Sequence, residues 1–384
     1  MSVVFEMVAK TLFGLEEVLE TELKQLGAQH IHRGQRMVRF RGDQRLMWMA
    51  NLCCRTAIKI LIPIHHFKVQ SEEELYRQVY QIEWKKYFDT DQTFAIDATV
   101  FSKRFTHSKY IALKTKDAIA DHFRDRYGKR PSVDTQKPHL RLNVHIHEDQ
   151  CNLSLDSSGA SLHIRGYKTA VHQAPLNEVL AAGIIYLSGW DQKTHFYDPM
   201  CGGGTLLTEA AMMAANIPAN IHRNDFAFEQ WQDFDSALFQ KLKDELVQQS
   251  IIPACSIQGA DLDFKNVKIA RENIHQAQLD EIITVHQADF FNRKRPVTEP
   301  MHKVINPPYN ERIEIDTDSF YRKIGDTLKR EYSGCKAWIL TANAEAIKSV
   351  GLKPVSRIKL FNGSLEARLL GYELYEGSRK RNEA

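Results

Sequence analysis

No apolar run in this chain approaches the roughly 20 residues that a membrane span requires; the longest, Val179 to Leu187, has only the length of a buried helix. The amino terminus, MSVVFEMVAK, places an acid early and shows no small-residue cleavage pattern, so no export leader is expected. Cysteine is sparse and scattered. Cys53, Cys54, Cys151, Cys201, Cys255 and Cys335 include no C-x-x-C pair, which argues against a disulfide framework and against a zinc site. A cytoplasmic protein in a reducing compartment is the expectation. Internal repeats and low-complexity tracts are also missing, which excludes solenoids and disordered scaffolds. Net charge is only +3, so the chain is not cationic throughout.

What the chain does have is length and a globular balance. Its 384 residues, 43% hydrophobic and 26% charged, suffice for two or three domains with cores of their own. Residues 1–60 read as a small α+β unit: Leu12, Leu15, Leu19, Leu23 and Leu26 recur at helical spacing, and Met37 to Arg41 alternates like a strand. Residues 61–160 mix strand patterns (Thr93 to Val100, Leu140 to Ile146, Asn152 to Leu155) with a helix over Lys114 to Tyr127, and close on the turn Asp156-Ser-Ser-Gly159. From 165 to 384 the pattern becomes that of a mostly parallel, doubly wound sheet. A helix over Ala174 to Leu187 precedes strands at His195 to Tyr197, Ser256 to Ala260, Ile282 to His286, Lys303 to Ile305 and Trp338 to Leu340. Two final runs, Val355 to Phe361 and Ala367 to Tyr375, joined through Asn362-Gly363, predict an antiparallel hairpin.

Charge is unevenly placed. Between Phe101 and Arg141 stand eleven Lys or Arg against four Asp, a local balance of +7 that leaves −4 for the rest. With Phe101, Phe105, Tyr110, Phe123 and Tyr127 interleaved, the segment has the composition of a surface that follows a phosphate backbone. A solvated helix face would carry the same charge. Lys103, Arg104, Lys109, Lys114, Lys129 and Arg130, with Arg165 and Lys168 downstream, are the candidate RNA contacts.

Four motifs carry chemistry. Asp198-Pro199-Met-Cys201-Gly202-Gly-Gly204-Thr205 runs from a strand through a glycine loop into a helix, where a ligand can lie against free backbone N–H groups. No Gly-Lys-Ser/Thr follows, so it is not a P-loop, and Leu207 stands where a dinucleotide fingerprint needs its third glycine. An acid before the loop repels pyrophosphate but suits S-adenosylmethionine, which bears a sulfonium and an ammonium. Asp261, ending the next strand in Gly-Ala-Asp-Leu-Asp263, is placed to accept both ribose hydroxyls, while Asp263 reads as a helix N-cap. Asp289 in Ala-Asp-Phe is a candidate for the adenine amine. In Asn306-Pro307-Pro308-Tyr309 the proline pair ends a strand in a rigid turn. The Asn306 side-chain oxygen and the Pro307 carbonyl can accept two N–H bonds of a base amine, and Tyr309 can stack on the base.

The ordered set DPMCGGGT, GADLD, ADFF and NPPYNER resembles class I methyltransferases that act on exocyclic amines. KTKDAIADHFRDRYGKRPSVD with CNLSLDSSGASLHIRGYKTAVHQAPLNE looks like a THUMP RNA-binding domain and its junction to such an enzyme. Across nearly the whole chain, the pattern is similar to bacterial large-subunit rRNA guanine-N2 methyltransferases, specifically to the amino-terminal half of the form fused to a second methyltransferase. The resemblance implies a Rossmann-like class I sheet, parallel with an antiparallel C-terminal hairpin, preceded by an α+β THUMP domain and a small ferredoxin-like domain. It also implies that Ala174, Pro175 and Leu176 lie beside the methionine end of the cofactor. Asn310 departs from the family's usual glycine, and the second activity of the fused form is not expected. His145 and His147 alternate on a strand without ligand partners and read as structural; Cys201 reads as a small packing residue and not a nucleophile. Transfer from a sulfonium requires no metal. Two other readings stay open: an adenine-N6 methyltransferase on RNA or DNA, and a non-catalytic RNA-binding or assembly protein.

Overall fold

The computed structural model describes residues 3–168, 176–308 and 316–375. The chain forms two compact units, Met1–Thr11 with Leu19–Leu162 and Arg223–Lys243, and Leu12–Val18 with His163–His222 and Asp244–Ala384.

The first unit is built on one eight-stranded sheet. In chain order its elements are β1 (Phe5–Thr11), α1 (Glu16–Gln25), β2 (Gln29–Gly34), β3 (Met37–Gly42), α2 (Gln44–Cys53), β4 (Ala57–Lys68), α3 (Glu72–Tyr80), β5 (Thr93–Phe101), α4 (Ser108–Tyr127), β6 (Ser132–Val133), β7 (Leu140–His147) and β8 (Gln150–Asp156). The strands lie in the order β2-β3-β1-β4-β8-β7-β5-β6. The expected boundary between residues 60 and 61 falls inside β4, which pairs with β1 on one side and β8 on the other. Alternate residues of β7 and β8, among them Leu142, Val144, Ile146 and Leu153, are buried with Leu75 and Val79 of α3 and Ile111, Ile119 and Phe123 of α4. Helix α4 starts six residues earlier than its expected Lys114. Its inward stripe runs Ile111, Thr115, Ala118, Ile119, His122 and Phe123, and the polar Thr115 and His122 hide that stripe from an apolar periodicity.

The second unit contains α5 (Glu178–Leu187), β9 (His195–Asp198), α6 (Thr205–Ala214), β10 (Ile257–Asp261), α8 (Phe264–Gln276), β11 (Ile283–Gln287), β12 (Met301–Ile305), α9 (Thr317–Glu331), β13 (Lys336–Thr341), β14 (Ser356–Asn362) and β15 (Leu365–Glu373); α7 (Ser236–Val247) precedes β10. Its sheet has the order β11-β10-β9-β12-β13-β15-β14. Pairing is parallel from β11 to β13 and antiparallel for β15 with both β13 and β14. This is the Rossmann-like sheet with a terminal hairpin expected from the sequence, each strand within two residues of its anticipated place. The hairpin closes between Asn362 and Leu365, with Gly363 at φ 64°, where an L side chain would be strained. Strand order reverses between β9 and β12, the switch point where open parallel sheets leave a crevice at their carboxyl ends.

Candidate active site

That crevice is a cavity of about 1050 Å³. Asp198 ends β9, Asp261 ends β10 and Asn306 follows β12, and all three line it. The glycine loop forms its floor through Pro199, Met200, Cys201, Gly202, Gly203 and Thr205. Gly204 is the exception: with φ +80° it begins α6, and a Cβ there would sit 3.2 Å from the Cβ of Ala270 on α8. A glycine at this position lets the start of α6 approach α8 closely. Asn273 of α8 fastens the loop by donating to the Gly203 carbonyl at 3.0 Å.

The carboxylate of Asp261 is held on both sides. Its Oδ2 accepts from the Gly202 N–H at 2.9 Å, and its Oδ1 accepts from the Asp263 N–H and the Asn266 side chain, each at 3.0 Å. Of the roughly four lone-pair sites on a carboxylate, three are taken and one, on Oδ2, is left for a hydroxyl donor. Asp263 caps α8 as read from the sequence, accepting from the Lys265 N–H at 2.8 Å. Asn266, on the first turn of that helix, was not anticipated; the sequence reading stopped at the acids and did not continue onto the helix they cap. Asp289 lines the cavity with its carboxylate already accepting from the Phe291 N–H at 2.9 Å and the Asn292 side chain at 2.6 Å.

Asp198 is buried, and its carboxyl is pushed up from the usual range to about 8, by loss of water first and by the neighbouring Asp261 charge second. Only the Met200 N–H, at 3.1 Å, offsets this. A carboxyl in that position suits a ligand that brings positive charge. The loop suits one too: Gly202 has φ +51°, and a Cβ built on it meets nothing within 4 Å, so its backbone is open to a ligand. Cys201 packs over Gly259, where a Cβ would come within 3.3 Å of its sulfur. Burial, then Asp198 and Asp261, raise its thiol well above the ordinary value, which removes it as a nucleophile.

The opposite wall is Asn306, Pro307 and Pro308, with Pro307 buried and Asn306 half-buried. Beyond them the cavity is bounded by Phe320, Tyr321 and Lys323 of α9, by 342–345 after β13, and by the hairpin tip at Asn362, Gly363 and Leu365. Tyr321 and Thr341 share a hydroxyl hydrogen bond of 2.6 Å, and Thr341 also accepts from the Asn343 N–H at 3.0 Å, which anchors this side. Leu176 lines the cavity as expected. Ala174, Pro175, Tyr309 and Asn310 lie outside the described residues.

Residues 165–370, more than half of the chain, match the RMKL-like methyltransferase domain family. The chain belongs to that family. It is a methyltransferase, and its methyl donor is S-adenosylmethionine, the cofactor anticipated from the glycine loop and Asp261. Residues 69–156 match the THUMP domain and residues 6–61 the RlmL ferredoxin-like domain. A Synechocystis sp. protein bearing an RNA methyltransferase name is 37% identical over 366 residues, covering 94% of this chain and 95% of its own. Among solved structures, the methyltransferase SMU.472 complexed with S-adenosylhomocysteine superposes with a TM-score of 0.87 at 29% identity, over 98% of this chain and 100% of that one. A Listeria monocytogenes protein named as an N6-adenine-specific DNA methylase gives 0.87 at 28%, over 97% of each.

Within the methyltransferase domain two expected RNA contacts are corrected. Arg165 is 1% exposed, 3.3 Å from Glu209 of α6 and 3.2 Å from the Asn220 side-chain oxygen. Lys168 donates to the Leu176 carbonyl at 3.0 Å and pairs with Glu178 at 2.9 Å. Arg165 is an interior fastener: with Tyr167 donating to Glu209 at 3.1 Å, it ties the approach segment to the helix that follows the glycine loop, while the half-buried Lys168 is engaged by the Leu176 carbonyl and Glu178. In the THUMP segment, Phe105 and Phe123 are core residues, not surface aromatics. Lys114 pairs with Glu73 at 3.7 Å, Arg130 with Asp121 at 2.6 Å, and Lys129 with Asp91. Lys103, Arg104 and Lys109 are exposed.

Proposed function

We propose that this methyltransferase modifies the N2 amine of a flipped-out guanine in large-subunit rRNA, in the cytoplasm, with residues 1–160 gripping the RNA and residues 165–384 carrying the chemistry. The observation that carries the reading is the placement of Asn306 and Pro307 on the wall of the cavity that also holds Asp198 and Asp261. Family match and sequence order support RNA: a THUMP domain precedes the catalytic domain, and the Synechocystis relative is named for an RNA activity. All six cysteines are unpaired, in keeping with a reducing compartment.

Bound S-adenosylmethionine supplies an electrophilic methyl group on its sulfonium. The remaining work belongs to the chain. Asp198 would face the ligand's positive charge, Asp261 would accept one ribose hydroxyl at its open Oδ2 position and a second in exchange for the Asn266 side chain, and Leu176 would close the methionine end. A base amine is a weak nucleophile because its lone pair is delocalised into the ring. Accepting its two N–H bonds at Asn306 Oδ1 and the Pro307 carbonyl aims that lone pair and fixes the nitrogen, the positioning that lowers such a barrier. Extruding the base costs a few kcal/mol, offset by stacking in the pocket.

An adenine-N6 activity is the second reading, favoured by the name of the Listeria relative and by the same two acceptors. Incubation with labelled S-adenosylmethionine and unmodified large-subunit rRNA, followed by nucleoside analysis, separates them. N2-methylguanosine is expected; N6-methyladenosine would replace guanine in the proposal.

A further inference from the structure

The eleven cations between Phe101 and Arg141 do not form one basic surface. Eight of them, Lys114, Lys116, Arg124, Arg126, Lys129, Arg130, Lys137 and Arg141, each lie within 4 Å of a carboxylate. Their acids include Glu73, Glu83, Asp91 and Asp225, which lie outside the segment and escape a count made along it. The three that remain, Lys103, Arg104 and Lys109, have no ion pair among the described residues and sit together between the end of β5 and the first turn of α4. No acid occurs between Phe101 and Lys116.

The same stretch exposes two of its three aromatics, Phe105 being the buried one. Phe101 is 60% exposed at the last position of β5, its ring edge-on to His145 at 5.9 Å, and Tyr110 is 48% exposed on α4. Tyr110 and Leu113, three apart on the helix, are both exposed, with Lys109 on the same outer side. Large apolar rings in water beside unpaired cations have a specific chemical complement, a strand that offers phosphates to the cations and unpaired base faces to the rings. A duplex offers phosphates but keeps its base faces stacked, and an acidic peptide offers charge without faces.

We propose that the Phe101–Tyr110 surface binds a single-stranded segment of RNA, with Phe101 and Tyr110 as stacking platforms and Lys103, Arg104 and Lys109 as phosphate contacts. The Lys129–Arg130 end of α4 takes no part, because its charge is already spent on Asp91 and Asp121. Two acids bound the surface on one side: Glu148, whose N–H donates to the Phe101 carbonyl at 2.8 Å, and Asp149, which feels both Lys68 and Arg104. The inference rests on the reading of RNA as substrate.

The test uses the full-length protein and a fluorescein-labelled 12-nucleotide single-stranded RNA, alongside a perfectly paired RNA hairpin. Folding of every variant is checked by its circular-dichroism spectrum and melting temperature, and the cofactor site by S-adenosylhomocysteine binding in the calorimeter. K103E/R104E/K109E should weaken binding of the single strand at least roughly 10-fold, and F101A/Y110A by a similar factor. K129E/R130E should change it less than about 3-fold, since both cations already face carboxylates, Asp91 and Asp121. Binding of the hairpin should be weaker than that of the single strand and insensitive to F101A/Y110A. Equal loss in K129E/R130E, or tight single-strand binding by F101A/Y110A, overturns the surface while leaving RNA as substrate. A wild-type protein that binds S-adenosylhomocysteine but neither RNA overturns the surface together with the reading beneath it.

Discussion

In the proposed mechanism Asn306 meets the base amine and Asp198 the cofactor, so single substitutions should separate them. Asn306→Ala removes one acceptor for the base amine without touching the glycine loop or Asp261. Loss of one preorganised hydrogen-bonding group typically costs about 10²–10³ in kcat, so turnover should fall by that factor while calorimetric cofactor affinity changes less than about 3-fold. Undiminished turnover would remove Asn306 from the mechanism. For Asp198 the sign follows from its raised carboxyl. The buried group keeps its proton to about pH 8, whereas the unfolded chain releases it near 3.8. The folded protein therefore binds the extra proton between those values, and the stability this contributes is complete below 3.8 and lost as pH rises to about 8. A cationic ligand favours the ionised form, so S-adenosylmethionine binding should release a proton at pH 7 and tighten as pH rises towards 8. Calorimetry in two buffers of different ionisation enthalpy reads that proton directly; Asp198→Asn should abolish its release and flatten the pH dependence of thermal stability. At this scale the sequence was legible where a residue's partners are local. Asp263 caps the helix two positions on, and each acid or glycine of the loop stands at the end of a strand that the turn residues mark; the bond from Gly202 to Asp261, 59 positions apart, was not legible. It misled at Arg165 and Lys168, since a charge count cannot see Glu209, 44 positions away, or the burial that makes an arginine a fastener. Lys303 is a further case: read only as the start of a strand, it is fully buried with its ammonium 4.2 Å from the Tyr332 ring, and burial lowers it to about 8.

Elements were legible where one periodicity dominates. The strands of the second sheet are short apolar runs between turn residues, and the hairpin announced itself through Asn362-Gly363. The cavity's far wall was not, because α9 and the residues after β13 reach it only through packing of elements remote in sequence. Gly325 shows how close that packing is. A Cβ on it would lie 1.8 Å from the Val350 carbonyl oxygen, within the short helical turn 346–350. In an isolated helix, glycine to alanine stabilises by roughly 0.5–1 kcal/mol. Here the backbone carbonyl cannot rotate away as a flexible side chain would, and overpacking costs about 1–3 kcal/mol. The clash wins, so Gly325→Ala should lower the melting temperature by several degrees. Because α9 also carries Phe320, Tyr321 and Lys323 to the cavity, KM for RNA should rise while the affinity for S-adenosylhomocysteine, which the proposal places at the glycine loop and Asp261, holds. A raised melting temperature would show that α9 moves off the 346–350 turn at no cost.

For the molecule as a whole, net charge is a poor guide to what it grips. The chain carries 51 Lys and Arg against 48 Asp and Glu, yet the segment with the largest local excess neutralises eight of its eleven cations by ion pairs. The difference is measurable as a salt slope. For single strands the logarithm of the binding constant falls by about 0.7 per phosphate neutralised for each unit of log salt. Eleven open cations predict a slope near −8 by that factor, and three predict about −2. Titration of single-stranded RNA binding between low and physiological salt should therefore give a slope between about −2 and −4, the excess over −2 allowing for a few cations elsewhere. Binding of S-adenosylhomocysteine, which displaces no phosphate counterions, should scarcely change over the same range. A slope of −7 or steeper would mean that the ion pairs along α4 open when RNA arrives, turning the paired cations from spectators into contacts and moving the gripping surface to the whole helix.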